Sequence, residues 1–232
     1  MGELPFSLSA PFPCPYLPRK TSRLLFSSLD LSTYSHLVAQ GFRRSGDLAY
    51  RPYCPSCQAC IPVRIEVTQF RPNRSQRRCW KYNQELTVSV KDPNFSSEHF
   101  AVYQLYLKAR HGDTSQMMTA QDLNFLISRW VRTQLYEFRL QRRLVCVAVS
   151  DILEDGLSAV YTFFDPEFAK RSLGTYAVLW QIGEARKMGL RFLYLGYFIK
   201  DCRKMAYKIR FKPQQWYFNS WQPVNLARRF YA

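Results

Sequence analysis

The chain of 232 residues carries 33 Lys and Arg against 17 Asp and Glu, a formal charge of +16. With 47% hydrophobic and 16% aromatic residues it can bury a core, which excludes a disordered chain. The charge calls for a polyanion, an acidic substrate or an anionic surface, yet no apolar run reaches the ~18 residues of a membrane span and no Lys-rich amphipathic helix stands out, so no membrane partner is expected.

In chain order, the opening with Pro5, Pro11, Pro13, Pro15 and Pro18 reads as an extended arm rather than a helix. Ser32 to Gln40 predicts a short helix capped by Ser32 and stopped by Gly41, and Phe42 to Arg51 a hairpin about Ser45-Gly46-Asp47. A cysteine-rich segment leads to a strand at Ile61 to Val67. Asn73 to Asn83 predicts a basic helix and Leu86 to Lys91 a strand. Glu98 to Arg110 and Thr119 to Trp130 predict two more helices, the second capped by Thr119. Leu135 to Leu140, Leu144 to Val149 and Leu157 to Phe164 predict a meander. A helix entered at Leu173 and running to Met188 follows, then a strand at Arg191 to Leu195, a short helix near Cys202 to Tyr207 and an aromatic strand near Gln215 to Asn219. Meander, helix and strand in that order suggest an α+β fold with a GNAT-like (acetyltransferase-like) core over 93–232, preceded by a smaller cysteine-containing α/β region over 1–92.

Three constellations carry chemistry. The first is the helix entrance Asp165 to Gly174, where unpaired N–H groups and the helix dipole suit an anion, with Arg171, Ser172 and Gly174 placed to grip it. Opposite lies the strand end Tyr194-Leu195-Gly196-Tyr197. In such a core these two strands splay onto the reaction centre, so Asp165 is a candidate for orienting an amine or taking its proton, and Tyr161 for bonding a carbonyl. Asp165 before Pro166 also suits a plain turn. The second is Cys54-x-x-Cys57-x-x-Cys60 with Cys14 upstream, a set that can converge on a structural zinc or resemble the start of an iron–sulfur run; packed, reduced thiols are the alternative. Seven cysteines without the order of an export signal suit a cytoplasmic protein. The third is a pair of basic clusters interleaved with aromatics. One runs from Arg71 to Lys81, the other from Lys200 to Lys212 and includes Lys204, Tyr207 and Lys208. Such clusters suit phosphates and unpaired bases.

On these residues the chain resembles a known family. The matching stretches are Cys14-Pro-Tyr-Leu-Pro-Arg-Lys, Tyr50 to Arg64 around the three cysteines, Ala159 to Pro166, Arg171-Ser-Leu-Gly-Thr-Tyr176, and Tyr194-Leu-Gly-Tyr197 running into Lys204-Met-Ala-Tyr207-Lys208. They resemble the arginyl-tRNA–protein transferase family in its bacterial, leucine-transferring branch; the tail from Trp221 to Ala232 matches nothing. The resemblance implies leucine transfer from leucyl-tRNA to the α-amino group of proteins beginning with Asp or Glu, marking them for degradation by the N-degron route. It implies that Asp165 and Tyr161 serve the chemistry, while Arg171, Ser172, Gly174, Tyr194, Tyr197, Lys204 and Lys208 hold the aminoacyl-tRNA end. No cofactor is needed for such a transfer. The acid-bearing end of the substrate needs a cation, and since a carboxylate suits a guanidinium, Arg19, Arg23 and Arg43 are the candidates. Arginine transfer, an acyl-CoA N-acetyltransferase and a non-catalytic RNA-binding protein with a zinc knuckle are the competing readings.

Overall fold

The computed structural model describes residues 5–28, 33–111 and 120–224; the expected caps Ser32 and Thr119 lie outside the described residues. The first strands are short: β1 (Ser7–Leu8), β2 (Phe12–Pro13), β3 (Thr21–Ser22) and β4 (Leu24–Ser28). Helix α1 (Tyr34–Ala39) stops at Gly41, whose φ of 84° only glycine adopts without strain. The expected hairpin follows as β5 (Arg43–Ser45) and β6 (Leu48–Pro52), turning at Gly46. Strands β1, β4, β6 and β5 form one small sheet in that order, and β2 pairs with β3.

The remaining elements build the main sheet. They are β7 (Ile61–Glu66), α2 (Arg74–Tyr82), β8 (Thr87–Lys91), α3 (Ser97–His111), β9 (Thr133–Leu140), β10 (Arg143–Ile152), β11 (Gly156–Phe164), α4 (Leu173–Lys187), β12 (Phe192–Phe198), α5 (Arg203–Ala206), β13 (Gln215–Phe218) and β14 (Ser220–Pro223). Asn73 and Gln76 form a reciprocal capping box that starts α2 where the sequence placed it. The helix expected over Thr119 to Trp130 is instead a 3-10 segment, Ala120–Leu126. Leu123 and Leu126, three residues apart, are both buried there, and a three-residue turn puts them on one face.

The main sheet has eight strands in the order β14-β13-β7-β12-β11-β10-β9-β8. Strand β7, from the first 92 residues, sits between β12 and β13, so both regions share one sheet. Alternation along β10 sorts its two faces. Val147 and Val149 pack with Tyr103, Tyr106 and Leu123 beneath α3, while Cys146 and Ala148 pack with Leu173, Tyr176 and Ala177 of α4. On the α3 face, the β12 half is covered by α1 and the hairpin, with Tyr34, Leu37 and Phe42 against Phe192 and Tyr194.

Arg44 ties the hairpin to the main sheet. Its guanidinium makes a fully buried two-pronged pair with Asp151, at 2.7 Å from Nε to Oδ2 and 2.6 Å from Nη2 to Oδ1, while Tyr34 and Thr133 donate to the same carboxylate. A buried pair holds its place only when its remaining hydrogen bonds are supplied, as they are around this carboxylate. Arg43, one residue earlier, necessarily points the other way.

Candidate active site

The centre of the sheet comes apart. Strands β11 and β12 pair in parallel only from Gly156 to Ser158 against Phe192 to Tyr194. Beyond that they diverge, and Ala159 to Thr162 of β11 become half-buried although the strand lies mid-sheet. The divergence leaves backbone carbonyls without ladder partners, a costly state inside a protein.

Arg43 fills the gap. Its Nη2 donates to the carbonyls of Ala159 (2.6 Å) and Val160 (3.1 Å), and Nη1 to Ser158 Oγ (3.0 Å). Gly196 makes room for it: a Cβ there would lie 2.9 Å from Arg43 Nε, and its φ of +74° is itself a glycine conformation. The charge of Arg43 reaches Tyr16, Tyr50, Tyr197 and Lys208, opposing the rise in the phenol pKa values and adding to the fall at Lys208.

One wall of the splay is aromatic. Tyr161 makes T-shaped contacts with Tyr103, Tyr106 and Phe125 at ring-centroid distances of 6.2, 6.3 and 6.4 Å. Burial pushes the Tyr161 phenol upward, and among the described residues its hydroxyl has no hydrogen-bond partner. Tyr207 sits nearby. It is 37% exposed, yet burial raises its phenol and the charges of Arg110 and Arg43 reach it, which is the position of a side chain deep in an open cleft.

From Tyr207 a groove of about 430 Å³ runs between α2 and the entrance of α4. Its lining includes Arg78, Lys170, Arg171 and Arg210, with Ser172 and Thr175 from the first turn of α4, and no acidic residue. Arg171 is anchored there by Glu85 at 2.7 Å and lies over the Tyr82 ring. Ser172 adopts the left-handed conformation (φ 54°), and its carbonyl accepts from Thr175 and Tyr176 to begin α4. Gly174 leaves the first turn open, since a Cβ there would make only ordinary contact with Phe164 at 3.7 Å. Cations around a helix entrance make an anion site.

Several expected site residues are placed elsewhere. Asp165 stays with β10: its N–H donates to Val145, and its carboxylate caps Glu167 N (3.0 Å) and pairs with Arg143 (2.6 Å), so it builds the turn and does not face β12. Tyr194 is buried on the paired part of the strand, donating to Asp155 at 2.9 Å. Tyr197 is also buried, and its hydroxyl donates to the carbonyls of Gly41 and Tyr50, locking β12 to the hairpin. Lys208 is internal, with Nζ donating to Tyr197 O at 2.6 Å; burial, then Arg43, lowers its pKa to about 7. It is therefore no surface phosphate ligand. Lys204 is exposed and donates to Arg110 O, bridging α5 to the end of α3. Arg23 is engaged with Ser9 O, and Arg19 is exposed on a turn. Lys170, Arg110, Tyr106 and Phe125 were not singled out by sequence. The signal for two of them was present, since Tyr106 and Arg110 stand one helical turn apart and stack as a cation over a ring at 5.6 Å.

Cys14, Cys54, Cys57 and Cys60 are free thiols in one neighbourhood. Burial, then the other three, pushes Cys60 up to about 12. Among the described residues, however, no three His, Cys, Asp or Glu side chains are arranged to hold a metal ion. Cys146 is buried in the core, as expected, and Cys202 lies beside Tyr197. No described helix is long and apolar enough to cross a membrane.

Family models described as the N terminus and the C terminus of arginine-tRNA-protein transferase match residues 12–78 and 98–218. The chain is thus a transferase, and it belongs to the arginine-tRNA-protein transferase family. It is 51% identical to an aspartate/glutamate leucyltransferase of Nitrosococcus oceani, over 91% of this chain and 92% of that one. It is 45% identical to proteins of the same name from Pseudomonas fluorescens, over 97% of this chain and 99% of the other, and from Pseudomonas aeruginosa, over 94% and 96%. A solved C-terminal domain of a lysylphosphatidylglycerol synthetase from Agrobacterium fabrum is 14% identical with a TM-score of 0.48, covering 78% of this chain and 55% of that one.

Proposed function

We propose that this transferase moves leucine from leucyl-tRNA to the α-amino group of proteins that begin with Asp or Glu, in the N-degron route of protein degradation. The observation that carries this reading is the acid-free groove of Arg78, Lys170, Arg171 and Arg210, leading past Tyr207 to the splay of β11 and β12. Family membership decides for a transferase over a non-catalytic RNA-binding protein, and the names of the relatives favour leucine over arginine. The core is read as GNAT-like: a β9–β10–β11 meander, α4, and a β12 that parts from β11.

In this reading the groove holds the phosphates at the tRNA 3′ end, with Arg171, Ser172 and Gly174 at the helix entrance. The ester carbonyl reaches the splay. An α-amine has a pKa of ~7.7–8.0, so a useful fraction is neutral near pH 7 and no strong base is required. The amine nitrogen bonds to the carbonyl carbon, the C–O bond to the ribose breaks, and the ribose oxygen leaves with a proton. The Tyr161 hydroxyl donates to the developing oxyanion. Alignment of amine and ester can be worth roughly 7–11 kcal/mol, more than any single donor. Arg43 keeps the splay open and draws the acceptor's carboxylate, with Arg110, and with Arg19 on the turn whose Tyr16 packs beside Tyr197. Residues 1–92 and 93–232 then both contribute to the site, the first with Arg43 and Arg78 and the second with the helix entrance, Tyr161 and Arg110.

No cofactor takes part in the transfer. The four thiols share one neighbourhood but do not converge as a ligand set, so a structural zinc or iron–sulfur site there would require them to draw together; metal analysis of protein purified without oxygen, beside Cys57→Ser, tests it. Leucyl- and arginyl-tRNA offered together with an Asp-starting peptide test the main reading: leucine should be transferred, and transfer of arginine alone would overturn it. A leucyl-tRNA substrate and free thiols support the reading of a cytoplasmic enzyme.

A further inference from the structure

We propose that the aromatic recess formed by Tyr103, Tyr106, Phe125 and Tyr161 seats the leucyl side chain of the donor and is the element that selects leucine over arginine. The inference rests on the transfer reading above and adds to it the location of the donor pocket.

Three observations converge. Position is the first. Tyr161 follows Ala159 and Val160, whose carbonyls Arg43 holds, so the recess begins one residue beyond those carbonyls, on the diverged part of β11. An aminoacyl group with its ester at the splay has its side chain within reach of this wall. Shape and polarity are the second. Tyr103 and Tyr106 are buried, Tyr161 is half-buried, and Phe125 is 39% exposed, so the rings form a floor with one open side. The three rings stand steeply tilted to Tyr161, at 67°, 83° and 79°, and make an aromatic surface suited to a branched aliphatic group.

Charge is the third. Among the described residues, the charged group that bears on Tyr161 is Arg110, and those that bear on Tyr207 are Arg110 and Arg43. Among the described residues no carboxylate acts on either ring. An arginyl side chain here would meet two guanidinium groups and find no partner, while burial would strip its water. A leucyl side chain loses nothing. The same cations suit an acceptor that carries a carboxylate, so a single electrostatic arrangement rejects the wrong donor and favours the acidic acceptor.

The test measures the ratio of donors used in single-turnover transfer to an Asp-starting peptide, with folding checked by thermal melts. Phe125 is partly exposed, so its variants should fold. Phe125→Ala opens the recess and should raise phenylalanyl relative to leucyl transfer at least about 10-fold, the scale expected when a hydrophobic pocket changes by a few carbon atoms. Phe125→Glu supplies the missing carboxylate and should raise arginyl relative to leucyl transfer at least about 10-fold, with Phe125→Leu remaining near wild type. Wild-type donor ratios in both Phe125→Ala and Phe125→Glu, with leucine still transferred, would overturn the pocket and leave the transfer reading standing. A wild-type protein that transfers no leucine would overturn that reading, and the pocket with it.

Discussion

The groove and the splay are adjacent, yet they are built on opposite terms. In the groove Arg78, Lys170 and Arg210 stand exposed around a helix entrance, while Arg171 is largely buried and pinned by Glu85 and Tyr82. In the splay the cation gives its hydrogen bonds to the protein itself, leaving only its charge to act on a ligand: Arg43 satisfies two carbonyls that diverging strands abandoned. The first arrangement gives affinity for a polyanion at little cost to the fold. The second gives a fixed opening in a sheet, and both stability and chemistry depend on it. Binding and transfer should therefore separate under mutation.

The largest effect belongs to Arg43. Arg43→Lys cannot span Ser158, Ala159 and Val160, and a carbonyl left buried and unpaired costs about 1–3 kcal/mol. A misplacement of about an ångström at the reacting centre costs on the order of 10²-fold in rate. Single-turnover transfer should fall by that order while tRNA affinity holds; equal losses in both would erase the distinction between the two regions. Gly196→Ala follows, because its φ of +74° costs a side-chain residue about 1–2 kcal/mol and its Cβ meets Arg43. A melting temperature unchanged from wild type would show that the guanidinium has room to spare.

On the groove side, Arg78→Ala with Arg210→Ala should weaken tRNA binding. They should also reduce the slope of log affinity against log salt by ~0.7 for each lost phosphate contact, without altering the melt. A salt slope equal to that of wild type would place the RNA elsewhere.

Lys208 offers a pH test of the buried side. Its folded pKa of about 7 lies below the unfolded value of 10.5, so between those values the unfolded chain binds more protons and stability rises with pH. The slope approaches ~1.4 kcal/mol per pH unit for one proton. Lys208→Met should flatten that rise; denaturant midpoints at pH 7 and 9 measure it, and a wild-type curve as flat as the variant's would contradict it. The smallest expected effect is that of Asp165→Asn, which trims the cap on Glu167 and the pair with half-exposed Arg143. It should cost stability by about 1 kcal/mol and leave the single-turnover rate near wild type.

The same contrast explains what the sequence disclosed. The groove was legible because its parts are local: a helix entrance at Arg171 to Gly174 and two basic runs that the fold brings to its sides. The meander and α4 were legible from their periods. The splay was only half legible. All seven positions of β12 are buried, so alternation could not tell that Tyr194 and Tyr197 are committed inward. Asp165 satisfied two patterns, a catalytic carboxylate and a turn before proline, and the nearby Arg143, brought by the β9–β10 hairpin, decides its place. Arg43 was chosen for a carboxylate, but its role as a wedge depends on the hairpin being held against β10 and β12 by Arg44–Asp151 and Tyr197, long-range contacts that no local pattern records.

The division between gripping and reacting regions is tested most directly by measuring tRNA affinity and saturating single-turnover leucine transfer, side by side, on Arg43→Lys and on the Arg78→Ala, Arg210→Ala pair. The account predicts a lost rate with retained affinity for the first, and lost affinity with a retained saturating rate for the second. If both variants lose the two quantities in proportion, groove and splay are one site, and the separation argued from their geometry is wrong.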